Sequence, residues 1–326
     1  MTLHPAVANV RRGVRRDLAD LEPGDPVVVA CSGGADSLAL LAAAVFEARG
    51  LALRVVGATI DHGLQDGSED RAARVVEQMA HLGVDETVSA RIRVEGAGLG
   101  PEAAARQGRY AVLDQVGERF GAAAVLLGHT RDDQAETVLL GLTRGSGGRS
   151  IAGMRRRFDR YRRPLLDVSR DDTVTACQVE GIEFWTDPHN ADPAYTRARV
   201  RQRVIPVLED ELGPGVVETL ARTADQLRRD MEALDRLADE AHAGTGGSDG
   251  LDLTRLAALD PAIASRVLRL AALDAGAAGG ELFQVHVEAL VRLAGGEVAG
   301  EVQLPGSVSA FREGDRLRFR RTAVES

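Results

Sequence analysis

The sequence predicts an α/β fold: a doubly wound, mostly parallel sheet, followed by a smaller, mainly helical C-terminal domain that ends in a β-hairpin. Three observations carry that expectation. Short β-branched runs alternate with helical patterns through the first half, the runs are apolar on both faces, and a glycine-rich turn closes the first of them. In order, residues 27–30, 54–60, 87–94 and 123–127 read as strands, and helical spacing fills 37–49, 68–82, 101–119 and 132–142. Such alternation implies right-handed crossovers with ligands beyond the carboxyl ends of the strands, so a site is sought in loops 31–37, 61–67 and 128–133. From about 143 to 165 periodicity fails, and the Gly- and Arg-rich stretch reads as a surface excursion rather than core. Asp187-Pro188 and Asp192-Pro193 frame a turn-rich loop before an Arg-rich helix near 197–211. The next helix, roughly 215–242, has an apolar stripe at Leu220, Ala224, Leu227, Met231, Leu234 and Ala238, as one helix face packed on another requires. Asp260-Pro261 has the form of an N-cap with proline at the first helical position, and 308–312 with 317–320 form the closing hairpin. A boundary near 207 divides the chain into a catalytic domain, 1–207, and a C-terminal domain, 208–326.

Composition narrows the chemistry. The 326 residues are 44% hydrophobic and only 3% aromatic, so the core is aliphatic. All 40 basic residues are arginine; the chain contains no lysine. That excludes a Schiff base, a pyridoxal enzyme, a Walker-A phosphate lysine and a lysine general base. Two cysteines, Cys31 and Cys177, lie far apart without a CxxC or a Cys/His cluster, which argues against a disulfide framework, a zinc site or an iron–sulfur cluster. Neither a leader nor a long apolar span is present, so a cytoplasmic protein without a membrane anchor is expected. A homodimer stays open.

The strongest motif follows the first strand: Ser32-Gly33-Gly34-Ala35-Asp36-Ser37, running into a helix. Two glycines admit an anion close to the backbone, two hydroxyls add donors, and the helix N-terminus directs N–H groups at it. Such a loop grips pyrophosphate without a lysine. Asp36 is repulsive beside phosphates unless a divalent cation bridges them, and Mg²⁺ is the natural one. This segment resembles the PP-loop of the ATP pyrophosphatase superfamily, which cleaves ATP between the α and β phosphates and adenylates an oxygen of its substrate.

Further motifs select within that superfamily. Gly128-His129-Thr130-Arg131-Asp132-Asp133-Gln134-Ala135-Glu136-Thr137 puts a histidine, an arginine and carboxylates at the same sheet end, with Asp132 and Asp133 sharing a helix face with Glu136. One of the two aspartates is also suited to cap the helix. With Arg144-Gly145-Ser146-Gly147 the pattern resembles the tRNA(Ile)-lysidine synthetases. Ile60-Asp61-His62-Gly63, Glu102 with Arg106, Arg109 and Tyr110, Arg163-Pro164-Leu165-Leu166, and Thr196-Arg197 with Val200-Arg201 resemble the same family in order along the chain. One departure is Ala198, where the family usually carries Asn.

The resemblance implies a two-step ligation: ATP adenylates C2 of the wobble cytidine of a tRNA(Ile) with a CAU anticodon, then the ε-amine of free L-lysine displaces AMP. It implies that Ser32, Gly33, Gly34, Ala35, Asp36, Ser37, Asp61 and His62 hold ATP, with Asp36 and Asp133 on Mg²⁺. Arg106, Arg109 and Arg144 would meet developing charge, and Asp132 and Glu136 the lysine ammonium. The base for the attacking amine is unassigned, with His129 the candidate. Between 141 and 170 nine arginines stand against two acids inside a chain of net charge −9, and Arg197, Arg199, Arg201 and Arg203 follow. These runs read as a phosphate-tracking surface, with Arg144, Arg155, Arg156, Arg157, Arg197 and Arg201 on the tRNA. Phe158, Tyr161, Trp185 and Tyr195 are read as core rather than base-stacking platforms. Two rivals stand: a PP-loop tRNA thiolase, which usually carries clustered cysteines, and a non-catalytic nucleotide- or RNA-binding module on the same fold.

Overall fold

A computed structural model describes residues 3–61, 67–91, 101–144, 147–187, 192–245 and 250–322, the side chains of 101–105 and 144 apart. The chain forms two compact units, Met1–Gly145 with Ser150–Asp225, and Ser146–Arg149 with Gln226–Ser326.

The first unit opens with α1 (Pro5–Leu18), which the sequence reading did not anticipate. Its signal was present. Val7, Val10, Val14 and Leu18 recur at helical spacing and are all buried, with Pro5 at the first position and His4 accepting from the Ala6 N–H. Then come β1 (Pro26–Ala30), α2 (Ala35–Leu51), β2 (Arg54–Asp61), α3 (Ser68–Leu82), β3 (Glu86–Arg91), α4 (Pro101–Phe120), β4 (Ala124–Leu126) and α5 (Arg131–Arg144). These match the expected alternation. The short α6 (Gly148–Ile151) precedes β5 (Arg157–Phe158), β6 (Tyr161–Arg162) and α7 (Arg170–Val179). The strand order is β3-β2-β1-β4-β6-β5, with every neighbouring pair parallel except the β5/β6 hairpin.

That hairpin corrects the reading of 143–165 as an excursion. Tyr161 and Arg162 pair with Val125 and Leu126, and Tyr161 packs under Tyr110 and Phe158, its hydroxyl donating to Asp114 at 2.7 Å. Two-residue strands leave no periodicity for a sequence to show. Strand pleat divides the core: Val27 and Val29 face α1, α2 and α7, while Val28 faces Leu113 and Val116 of α4 on the other side. Apolar residues on both faces of β1 are what such a buried central strand needs. After α7 come α8 (Thr196–Arg199), a π-helical turn (Val200–Val204) and α9 (Ile205–Leu212), so the Arg-rich helix is real but broken in pitch.

The long α10 (Val216–Thr245) passes from the first unit into the second. The second unit then contains β7 (Leu251–Asp252), α11 (Leu253–Ala257), α12 (Pro261–Asp274) and α13 (Gln284–Ala294). The expected closing hairpin is β9 (Val308–Glu313) with β10 (Arg316–Arg321), and β8 (Glu301–Leu304) and β7 extend it to a four-stranded antiparallel sheet. Asp260 caps α12 through the Ala262 N–H, as its Asp-Pro sequence requires. Among the described residues no helix is long and apolar enough to cross a membrane.

Candidate functional site

The sheet order reverses between β1 and β4: the chain builds outward from β1 through β2 and β3, then returns to the other side of β1. A crevice opens outside the carboxyl ends of the strands at such a switch point. A cavity of about 900 Å³ fills it, lined by residues that include Ser32, Asp36, Asp61, His129 and Arg170.

The floor is the loop that joins β1 to α2. Gly33 has φ +82°, and a Cβ there would sit 2.6 Å from Val75 Cγ2, so the turn needs glycine at this position. Gly34 is the extended N-cap of α2, which leaves the first-turn N–H groups unused by the helix. The Ser37 hydroxyl accepts from the Ser32 N–H at 3.1 Å and donates to the Gly34 carbonyl at 2.9 Å. It therefore staples the loop, while Ser32 stays at the rim. Gly128, at the end of β4, is pressed against this loop: a Cβ on it would lie 3.2 Å from the Asp36 backbone.

Beside the loop stands a cluster of charge that sequence reading only half found. Asp133 Oδ2 accepts from the Thr130 N–H (2.8 Å) and hydroxyl (3.1 Å), so Thr130 is the residue that caps α5 and Asp133 its reciprocal partner three residues on. Its Oδ1 takes Arg170 at 2.8 Å and Arg201 at 3.4 Å. Burial opposes its charge, yet Arg170, the Thr130 N–H and Arg197 hold it below the usual carboxylate range. Glu136, with no exposed side-chain surface, is gripped by Arg201 at 2.7 Å and Arg170 at 3.4 Å, with Arg197 at 3.9 Å. Asp132 accepts from the Arg170 N–H at 2.8 Å and so serves the N-terminus of α7. Asp36 accepts from the Thr173 hydroxyl, with Arg170 at 3.6 Å. Burial pushes its pKa up to about 6, against the pull of Arg170.

Arg170 and Thr173 were not singled out for this site. Arg170 reads in the sequence only as part of a basic run, because the partners that define its role are 34 to 134 residues away. Trp185 and Tyr195 line the cavity, which corrects their reading as core; the Arg71 guanidinium lies 4.0 Å over the Trp185 ring, and the Trp185 N–H donates to Gly33. Phe158 and Tyr161 are core, as expected.

The remaining candidates separate. Arg109 and Asp61 line the cavity, whereas Arg106 is exposed and lies over Tyr110. His62 and the Arg144 side chain fall outside the described residues. His129 lines the cavity, its Nδ1 accepting from Arg163 at 3.2 Å; burial takes its pKa down to about 3, so the ring is neutral. Of the arginines assigned to RNA, Arg197 and Arg201 belong to the carboxylate cluster, Arg156 pairs with Asp167 and Asp225, and Arg157 with Asp17 and Asp20. Arg155 is exposed, with no carboxylate partner among the described residues. Both cysteines are free and buried, and burial pushes the Cys177 thiol up to about 12. Ala198 is buried at the start of the Arg-rich helix.

Two carboxylates facing one cavity beside a phosphate loop suit a hard cation that keeps water and phosphate oxygens in its shell. Arg170 already lies against both Asp36 and Asp133, so this pair is compensated by positive charge as it stands.

A family model described as a PP-loop domain matches residues 8–208, and one described as a TilS substrate binding domain matches residues 251–318. The chain is similar to a tRNA(Ile)-lysidine synthase of Streptomyces coelicolor, 51% identical over 97% of this chain and 99% of that one. A tRNA(Ile)-lysidine synthase of Thermobifida fusca is 54% identical over 93% of this chain and 94% of its own. Among solved structures, the U34-tRNA thiolase NcsA of Methanococcus maripaludis, with its 4Fe-4S cluster, superposes with a TM-score of 0.57 at 17% identity, over 68% of this chain and 79% of that one. That likeness concerns the fold alone.

Proposed function

Because the chain belongs to the tRNA(Ile)-lysidine synthase family, we propose that its cavity activates the wobble cytidine of an isoleucine tRNA with ATP and then joins lysine to it. The activity is an ATP-dependent ligation: free L-lysine is attached to C2 of the cytidine in a CAU anticodon, which changes the codon read from AUG to AUA. The observation that carries this reading is a lysine-free phosphate loop and two carboxylates sharing one cavity at the switch point of the sheet.

Each group has work that its surroundings support. The first-turn N–H groups of α2, with Ser32, Gly33, Gly34, Ala35 and Ser37, receive the β and γ phosphates as the C2 carbonyl oxygen attacks the α-phosphorus and pyrophosphate leaves. Asp61, the last residue of β2, is assigned to the adenosine, as is His62, the next residue in sequence. Asp36 and Asp133 would hold Mg²⁺, which when bound neutralises charge on the phosphoryl oxygens. Arg109 faces the same space, and Arg106 stands outside it. In the second step the lysine amine attacks C2 and AMP leaves. The ammonium is assigned to Asp132 and Glu136; Glu136 is enclosed in the free protein, so the ammonium reaches it by displacing the guanidinium contacts of Arg170 and Arg201. Residues 208–326 contribute tRNA contacts in this reading; in the first unit Arg155, with Arg144 added by the resemblance, is the arginine open to phosphate, while Arg156 and Arg157 are held by their carboxylates.

Purified protein with ATP, Mg²⁺, labelled lysine and a CAU-anticodon isoleucine tRNA incorporates lysine into the RNA, with lysidine identified by mass. Sulfur incorporation without lysine would replace this function with the thiolase. Nucleotide binding without turnover would support the non-catalytic module. Glu136→Gln keeps the shape of the side chain while removing its charge, so KM for lysine rises about tenfold and KM for ATP holds.

A further inference from the structure

Among the described residues, Arg163 is a buried cation without a carboxylate partner. It is 4% exposed, and none of its contacts among the described residues is an acid. Its Nη1 donates to the Arg155 carbonyl, its Nη2 to the Tyr110 hydroxyl at 3.1 Å, its face lies 4.7 Å from the Phe158 ring centre, and its Nε donates to His129 Nδ1 at 3.2 Å. Enclosing a guanidinium is costly unless every N–H is directed. Here three neighbours fix its plane, and the fourth contact aims one N–H at an imidazole.

A guanidinium carries donors and no acceptor, so the ring nitrogen facing it must present a lone pair. In a neutral imidazole the proton then resides on the other nitrogen. His129 lines the cavity, and among the described residues Nε2 has no acceptor from the protein. Catalytic base histidines have the opposite partner: a carboxylate or carbonyl takes the Nδ1 proton and leaves Nε2 free to accept one. Protonating Nδ1 here would set two cations face to face.

We infer that Arg163 is a positioning residue that locks His129 as a neutral Nε2–H donor, so that His129 gives a hydrogen bond to an anionic oxygen of the nucleotide and is not the base for the lysine amine. The inference rests on the ligase reading of this cavity only for the identity of that oxygen; the tautomer is a property of the free protein. It also gives Arg163 a duty apart from the RNA-facing arginines.

The test is nitrogen NMR on the full chain with ¹⁵N-labelled histidine, assigned with His129→Gln. Nδ1 of His129 is expected as an unprotonated, pyridine-type nitrogen and Nε2 as protonated from pH 6 to 8. An Nδ1–H tautomer, or a doubly protonated ring, overturns the proposal whether or not the protein ligates lysine; failed ligation with the Nε2–H tautomer present overturns only the functional reading. Kinetics give a second arm. Glutamine places an amide donor near the former Nε2 but cannot act as a base, so His129→Gln keeps tRNA-dependent AMP transfer within roughly tenfold, while His129→Leu loses roughly a hundredfold. Equal losses overturn the donor role. Arg163→Met is expected to mix the tautomers and lower kcat roughly tenfold with KM for ATP nearly unchanged. A folded Arg163→Met that keeps the single Nε2–H form refutes the positioning role, and if that variant does not fold, the wild-type spectrum still decides.

Discussion

The phosphate loop and the carboxylate–arginine cluster stand side by side and both reach one cavity, but they are held together in different ways. Ser32–Ser37 is one segment, shaped by a positive-φ glycine, a stapling hydroxyl and the start of α2. The cluster gathers Asp36, Asp132, Asp133, Glu136, Arg170, Arg197 and Arg201 from four segments through ion pairs. Backbone geometry tolerates the loss of a side chain. A partly buried charge network does not when the deleted group is one that compensates several others.

The largest expected effect follows from that contrast. Arg170→Ala removes the group that touches Asp36, Asp133 and Glu136, and Arg201 remains to serve the last two. Unfolding in urea shows a loss of about 3 kcal/mol, set by the buried carboxylates left behind. Ser32→Ala, in the loop, costs under about 1 kcal/mol by the same measurement and acts on ATP affinity instead. Equal losses from the two substitutions would erase the distinction between the regions.

Asp36 belongs to both regions, so its replacement divides stability from function. Its folded pKa, about 6, is above the unfolded value of 3.8. Between those values the native state holds more protons than the unfolded one, so stability falls as pH rises through the window, and the cost is complete above pH 6. Asp36→Asn is therefore expected to raise the nucleotide-free melting temperature at pH 7.5 by about 2–4 °C and to flatten its decline between pH 4 and 6. The same variant loses AMP transfer by roughly a hundredfold or more, since the carboxylate that would hold Mg²⁺ is gone. A less stable Asp36→Asn would show that Arg170 gains more from the aspartate than burial takes away.

How far the sequence could be read follows the same division. The phosphate loop was legible because strand, glycines, hydroxyls and helix start are consecutive, and local sterics dictate their geometry. Asp133 and Glu136 were legible as neighbours on α5, since helical spacing puts them on one face. Their partners were not. Nothing around Arg170 says that it turns toward α5 rather than solvent, and Arg163 reads as one arginine among nine although it is enclosed. Composition counts charges without pairing them, so a run that looks like an RNA-facing surface divides on folding into buried, paired and open arginines. The helix at 5–18 is a different case: its apolar residues recur plainly at helical spacing, and no distant partner is needed to read it.

The smallest effect isolates the open arginines. Arg155 is exposed and without an acidic partner among the described residues, whereas Arg156 has Asp167 and Asp225, and Arg157 has Asp17 and Asp20. An arginine already satisfied by two carboxylates releases few counterions on meeting a phosphate, because the protein supplies its counterions. Arg155→Ala is expected to weaken tRNA binding and lower the slope of log affinity against log salt by about one, with stability unchanged. Arg156→Ala, which frees Asp225 and leaves Asp167 to Arg16, lowers stability by about 1 kcal/mol and leaves that slope within its error. Filter binding across a salt series, paired with thermal melts, reads both. If Arg156→Ala changes the slope as much as Arg155→Ala does, the paired arginines exchange their carboxylates for phosphate when RNA arrives, and the whole hairpin is a binding surface after all.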